Sequence, residues 1–500
     1  MGCQVRNIKR ADYDQLHLLP PSLEDWVCEG HPARFIREFV QSLDLAKTGF
    51  KEPNAEEGGE CYAPELLLAV WLYGYFCRIR STRRLEQACV ENVGFMWLCG
   101  LHKPDHNALW RFWKDNKAAL KQLFKTTVKV ALKLDLVALA LQAIDGTKIQ
   151  AVATKHGSFD LQHNRKLAAK LEQSIAQLEK QIASAGPEEQ QTVAELSQDL
   201  GTKARLKEKV QTAIQQIEQQ ESSHLHPQEP EARRMRTEGP NRFAYNAQAA
   251  VDSKKQIVTA AEVNNQENDQ ALLVPMIEAA GANTGQSCPK TLADTGYSTG
   301  QQLAQAQARE LEVLAPLNKR VEGENNPYHS SQFRYVAEKD LVICPQQQEL
   351  KFHHRRQRNG VELKVYRNSQ ACAGCRVRSL CTSERQGRGV DIGPYSEAIA
   401  QHRAKMRDPA QRELLKQRSR IVEPVFAQIK ENGGFRRWTL RGLKNVQTQW
   451  SMLCATWNLQ KIFQVWQLKA DDLRLKPRLK GFFGAFSRPL ESYLSALGCC

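Results

Sequence analysis

The rhythm of apolar and polar positions changes several times along this chain. Over residues 16–135 it is helical. Ser22-Leu23-Glu24-Asp25, after Pro20-Pro21, has the form of a capped helix start. Residues 64–80 are apolar nearly all round, which predicts a core helix rather than a surface one. Ser81 is placed to cap the next helix, over 82–91. Pro104-Asp105 opens a short helix that carries Trp110 and Trp113 beside Asn107, Arg111 and Lys114. Short helices of this kind fit a helix-turn-helix unit, or a plain bundle whose aromatic residues are core.

Near residue 137 the period shortens. Residues 143–152 alternate and are rich in β-branched side chains, which predicts a strand bearing Asp145. Over 161–222, Leu167, Leu171, Ile175, Leu178 and Ile182 recur at helical spacing. Gly186-Pro187 breaks the pattern, and Val193 to Ile217 resume it. This is an antiparallel helical hairpin inserted between strands. Strands follow over 243–252 and 256–263, with a turn at Lys254-Lys255. Then come a helix over 269–280, a strand end running into a turn at Asp294, a helix over 301–309 and a strand over 312–315. That order predicts an α/β domain with a mixed sheet. Residues 320–400 read as polar and irregular, and 410–466 as basic and helical. The chain then divides into an all-helical domain at 1–135, an α/β domain at 136–466 with insertions at 161–222 and 320–400, and a basic tail at 467–500.

Charge sharpens the picture. The formal net charge is +15, which suits a polyanionic partner. Fourteen cysteines in a chain of 500 residues do not read as a disulfide framework. The first residues lack the apolar core of a secretory signal, and the apolar runs are too short to span a bilayer. The expected location is cytoplasmic, nucleoid-associated when bound to DNA, with no membrane partner.

Residues 401–465 hold 13 Lys and Arg against 4 Asp and Glu. Glu423 sits there in an otherwise apolar and basic helix, and Lys430 follows two turns later on the same side. An acid inside a phosphate-binding surface calls for a cation, and a divalent metal is the simplest. Asp145 and Asp294, the latter at the C-terminal end of a strand, are the other acids that stand out by position. Three carboxylates can converge on two Mg²⁺ or Mn²⁺ ions, which prefer hard oxygen ligands. Separately, Cys372, Cys375 and Cys381, with Cys344 upstream, have the spacing of a structural Zn²⁺ site. His353 and His354 are alternative ligands, and free loop thiols are the other reading.

Several segments together resemble a known family. They include Leu72-Tyr-Gly-Tyr, Asp145-Gly-Thr-Lys-Ile, Tyr245-Asn-Ala-Gln, Ala293-Asp-Thr-Gly-Tyr, Val422-Glu-Pro-Val-Phe, Gly434-Phe-Arg-Arg, Leu440-Arg-Gly-Leu and Trp457-Asn-Leu, in order over residues 15–465. The chain resembles DDE transposases of bacterial insertion sequences, in the branch whose last acid is followed seven positions later by Lys. The resemblance implies an RNase H-like catalytic fold, with Asp145, Asp294 and Glu423 as the Mg²⁺-binding triad and Lys430 on DNA phosphate. It also implies nicking of element ends and joining of the 3′-hydroxyl to target DNA, on double-stranded DNA and as a homodimer. The pattern departs where that branch has Tyr and Arg before the Glu; here Lys416 and Ser419 stand, with Arg418 and Arg420 flanking. Arg418, Arg420, Arg436, Arg437 and Arg441 are expected phosphate contacts. Trp438 is either a platform for a flipped base or a core residue. Asn107, Arg111 and Lys114 are the candidates for reading base edges. A DNA binder without catalysis and a nuclease without strand transfer remain the alternatives.

Overall fold

The structure is a computed structural model, and it describes residues 22–52, 61–153, 161–184, 190–220, 226, 228–237, 239–318, 326–358 and 360–471. These fall into two compact units, one within residues 1–119 and 463–500 and the other within 120–462. The expected turn at Gly186-Pro187 and the tail beyond residue 471 lie outside the described residues.

The first unit is built on helices. Ser22 starts the first of them, Leu23–Trp26, with a reciprocal cap. Its hydroxyl accepts from the Glu24 amide at 3.2 Å and its own amide donates to Asp25 at 3.2 Å. The all-round apolar helix is Pro64–Phe76, and its residues 67–75 are buried. It stops short of the expected residue 80, because Arg78 takes left-handed backbone at φ 65°. A Cβ on Gly74 would stand 2.4 Å from Leu85, so glycine lets the next helix, Thr82–Glu91, pack close. Ser81 makes no side-chain cap bond to that helix, contrary to expectation. The helix His106–Asp115 is capped by Asp105 and buries Leu109, Phe112 and Trp113. The Trp113 ring lies 4.7 Å from that of Trp71 and stacks on Tyr75.

The second unit holds two sheets. The first has strands β1 (Gln142–Gln150), β2 (Arg233–Arg236), β3 (Asn241–Asp252), β4 (Val258–Asn264), β5 (Lys290–Leu292) and β6 (Glu312–Leu314). Across it the order is β4-β3-β1-β5-β6, with β2 beside the first residues of β3. β3 is antiparallel to both β1 and β4, while β5 runs parallel to β1 and β6 parallel to β5. Ile144, Ala250 and Ala260 on this sheet pack with Leu273, Ile277 and Leu303 from the helices Leu273–Thr284 and Gly300–Ala308. The outer edge of β4 is closed by side-chain amides of the helix Leu443–Asp471. Asn458 bonds both backbone groups of Val258, at 2.8 and 2.9 Å, and Gln447 bonds Val263 and Ala261. Those bonds satisfy backbone groups that an open edge would leave to another chain.

The insertion after β1 is a pair of helices, Leu161–Ser184 and Gln190–Gln220, that contact each other. Leu171, Leu178, Val210 and Ile217 are buried, and Lys207–Glu172 and Arg165–Glu218 ion pairs join the two helices outside.

The described residues within 320–400 are not irregular. They carry a second, antiparallel sheet of β7 (Arg334–Val336), β8 (Leu341–Ile343), β9 (Glu349–Arg358), β10 (Val361–Arg367) and β11 (Val390–Ile392), ordered β11-β10-β9-β8-β7. Its core is small: Phe333, Val342, Leu350, Tyr366 and Val390. β9 buries only Leu350, so it has no alternation for a periodicity reading to catch.

Candidate active site

β1 carries Asp145 between apolar neighbours that sit in the sheet core. The parallel register that pairs Ala143 with Leu292 brings Asp294, two residues past the end of β5, toward Asp145. The two carboxylates are close enough that Asp294 acts on the ionisation of Asp145. Asp294 is itself held in place, accepting the Gly296 amide at 2.8 Å at the head of a short turn of helix. Burial raises the Asp145 carboxyl above the ordinary carboxylate range. Arg418 and the Gly146 amide pull it back, and Asp294 adds to the rise.

Arg418 comes from the helix Gln417–Ala427, which packs against β1, and its Nη1 donates to Asp145 Oδ2 at 2.9 Å. One and a half turns on, Glu423 presents its side chain to solvent. Lys430 lies where this helix widens by one residue per turn, over Gln428–Asn432. It is 9% exposed, and its ammonium donates to Thr147 on β1 at 2.9 Å. The structure therefore brings Asp145, Asp294, Arg418 and Lys430 to one stretch of β1 and leaves the Glu423 carboxylate in solvent.

A polar network that the sequence reading did not assign lies alongside. Asp269 accepts from Lys148 Nζ at 2.8 and 2.9 Å, Asn246 Nδ2 at 2.7 Å and Gln248 Nε2 at 2.8 Å. The Tyr297 hydroxyl donates to Gln248 Oε1. Burial raises the Tyr297 phenol far above its usual range, and Asp269, Asp145 and Asp294 add to the rise. Gly146 makes room for this network, since a Cβ there would stand 2.0 Å from the Gln248 amide. The signal was present in the sequence: Asn246 and Gln248 are amides at alternate positions of an otherwise apolar strand, and both are fully buried.

The remaining residues divide. Arg420 and Arg441 are exposed, and Arg436 is exposed in an ion pair with Glu431. Arg437 donates to the Ala151 and Val152 carbonyls, which ties it to the end of β1. Trp438 is a core residue, 2% exposed, with Nε1 donating to Ile149 O at 3.1 Å and its ring edge-on to Trp450. No face of it is open to a stacked base in this conformation, which corrects the platform expectation. On His106–Asp115, Asn107, Arg111 and Lys114 are all exposed, four and three residues apart on one face, with Trp110 between them 39% exposed.

Cys344, Cys372, Cys375 and Cys381 all line one cavity of about 30 Å³ in the second sheet, together with Phe333, Leu350 and Arg388. His353 and His354 do not line it; they stand exposed on β9 against each other. Among the described residues, no three His, Cys, Asp or Glu side chains form a ready metal-holding group, either here or at the aspartates. The donor chemistry nevertheless suits each ion: hard oxygens at Asp145 and Asp294, thiols at the cavity. Among the described residues, no helix is long and apolar enough to cross a membrane.

Asp145 within β1 and Asp294 just past the parallel β5, flanked by a helix that bears Arg418 and Arg420, define an α/β protein with an acidic site. Two family models agree with that class. Residues 343–463 match a transposase DDE domain, and residues 21–115 match a transposase domain (DUF772). Two separate transposase models along one chain support a DDE transposase of an insertion sequence. DDE transposases are DNA-processing enzymes that generally bind DNA and use divalent metal ions. No curated protein and no solved structure matched the chain.

Proposed function

We propose that the chain nicks the ends of an insertion sequence and joins the freed 3′-hydroxyl to target DNA, with Asp145, Asp294 and Glu423 as metal ligands. One observation carries this reading: the parallel register of β1 and β5 draws Asp294 to Asp145 beside the helix that bears Arg418 and Arg420. The strand order β4-β3-β1-β5-β6 is also that of an RNase H-like sheet, which supports the proposed catalytic fold.

A pair of Mg²⁺ or Mn²⁺ ions would supply activation of the attacking oxygen and stabilisation of the leaving oxygen. The chain's own residues do the rest. Gly296 and its turn fix the Asp294 carboxylate, and Gly146 N–H fixes that of Asp145 at 2.8 Å. Arg418 shares Asp145 and sits where it can meet a phosphate as the carboxylate takes up other partners. Lys430 fixes positive charge behind β1. The exposed Arg420, Arg436 and Arg441 supply non-specific phosphate contacts, while Asn107, Arg111 and Lys114 supply the reading of base edges. The active species is a homodimer on two DNA ends. A structural Zn²⁺ in the four-cysteine cavity is supported by the donor set.

A second reading has one observation in its favour. Glu423 lies in solvent, as expected of a DNA binder that has lost catalysis. Supercoiled plasmid carrying the element ends separates the readings. Joined products support the transposase, nicks alone a nuclease, and intact plasmid with a retained gel shift the inactive binder. In the first case Asp145→Asn, Asp294→Asn and Glu423→Gln each abolish nicking and keep binding. Retained nicking in any one of them removes that residue from the site.

A further inference from the structure

β9 and β10 run well past the sheet that anchors them. β8 pairs β9 only at residues 349–351, and β11 pairs β10 only at 364–366. Residues 352–358 pair with 361–366; the outermost pairs, 356–358 with 361–363, have no third strand beside them, and the chain reverses at Gly360, whose φ of 74° a side chain would resist. The result is a hairpin ribbon about 20 Å long whose outer half, about 10 Å, is two-stranded. It buries almost nothing: every residue of β9 after Leu350 is exposed, including Phe352 at 44%. A two-stranded ribbon in water is marginal by itself. This one is held at its base by Leu350, Val365 and Tyr366, all buried. Its outer length adds nothing to the core, so folding does not explain it.

Its charge is one-sided. Lys351, Arg355, Arg356, Arg358 and Lys364 stand on it against the single acid Glu362. Arg355 and Lys364 are directly opposite each other in the register, and each leans on an acid, Glu362 and Asp340 respectively. The ion pairs present, Arg355 with Glu362, Lys364 with Asp340 and Arg356 with the half-buried Asp391, all reach solvent and can be exchanged for a stronger partner. Charge on a sheet edge also prevents pairing between chains, for which Lys is the usual choice; here the run is of Arg, whose planar fork suits phosphate.

We propose that the β9–β10 ribbon is a docking arm for duplex DNA. Its width, two strands about 5 Å apart with their side chains, is what the roughly 12 Å major groove admits. Arg355, Arg356 and Arg358 grip the phosphates on either side. The choice of duplex DNA as occupant rests on the proposed function; the ribbon's shape and charge do not.

The test is binding of the full chain to a 30-bp duplex of arbitrary sequence, without added divalent ions, over a range of NaCl. Replacing Arg355, Arg356 and Arg358 together by Gln reduces the slope of log affinity against log salt by about 2 to 3, at roughly 0.9 per lost phosphate contact. Affinity at 100 mM salt falls by about tenfold or more. Arg358→Glu alone gives a change in the same direction. All three arginines are exposed, so the melting temperature stays within about 1 °C of wild type. An unchanged slope and affinity, in a chain whose wild type binds the duplex, overturns the arm and leaves the proposed function standing. No duplex binding by the wild type overturns both. Single-stranded RNA of equal length that competes as well as the duplex overturns the choice of occupant.

Discussion

The two sheets of the second unit solve opposite problems. The first is covered on both sides and keeps its polar groups inside, bonded to one another. Asn246, Gln248 and Asp252 are buried there, and Trp450 donates to the Gln248 carbonyl. The second buries a handful of apolar residues and turns a long basic strand outward. One sheet builds a site by holding side chains still, which needs packing on every side. The other presents charge, which needs only an anchor. Their stability and chemistry should respond to mutation in different ways.

The largest difference is catalytic. Asp145→Asn or Asp294→Asn lowers plasmid nicking by about 10³-fold or more if these acids hold the metals. A fall of less than tenfold in either variant would remove the first sheet's claim to the chemistry.

Packing gives the next contrast. Trp450 is fully buried and stacks with Phe426, so Trp450→Ala costs about 3–5 kcal/mol in denaturant unfolding. Gln357→Ala on the exposed outer ribbon costs within about 0.5 kcal/mol. Equal costs would mean that the ribbon is packed against something in solution.

Metal content sharpens the second sheet further. The four-cysteine cavity predicts about one equivalent of zinc per chain by elemental analysis, and chelation should lower the melting temperature. Less than about half an equivalent would leave the small apolar core as the only staple of that sheet.

The smallest effect concerns a buried acid beside the first sheet. Glu229 is 1% exposed and accepts from the Ala153 amide at 2.7 Å and the Tyr245 hydroxyl at 3.1 Å. Burial raises its carboxyl above the ordinary range. A raised value in the folded state contributes stability that is fully present below about pH 4.3, the unfolded value, and is lost as pH rises through the folded one. The melting temperature of Glu229→Gln relative to wild type therefore climbs between about pH 4 and pH 7. A flat or falling difference would show that the bonds to Ala153 and Tyr245 outweigh burial.

Much of the first sheet was legible because burial leaves a period in the sequence. β1, β3 and β4 fall close to the expected ranges, and the helical hairpin appears at 161–184 and 190–220. The helix expected over 269–280 begins only at Leu273. Asp269 is withdrawn from it to meet Lys148, Asn246 and Gln248. The second sheet was illegible for the converse reason: a strand exposed on both faces looks like a loop.

By itself, the sequence determined the helical start, the α/β succession, the basic balance and the identities of Asp145 and Asp294, because local periodicity and charge are written residue by residue. Tertiary structure alone decided which side chains meet. It set Arg418 on Asp145, buried Lys430 against Thr147, left Glu423 in water and closed Trp438 into the core. Such pairings join residues more than 270 positions apart for Arg418 and Asp145, and depend on strand register and helix rotation. A shift of one residue in either turns a side chain from one face to the other, and nothing local in the chain records that choice.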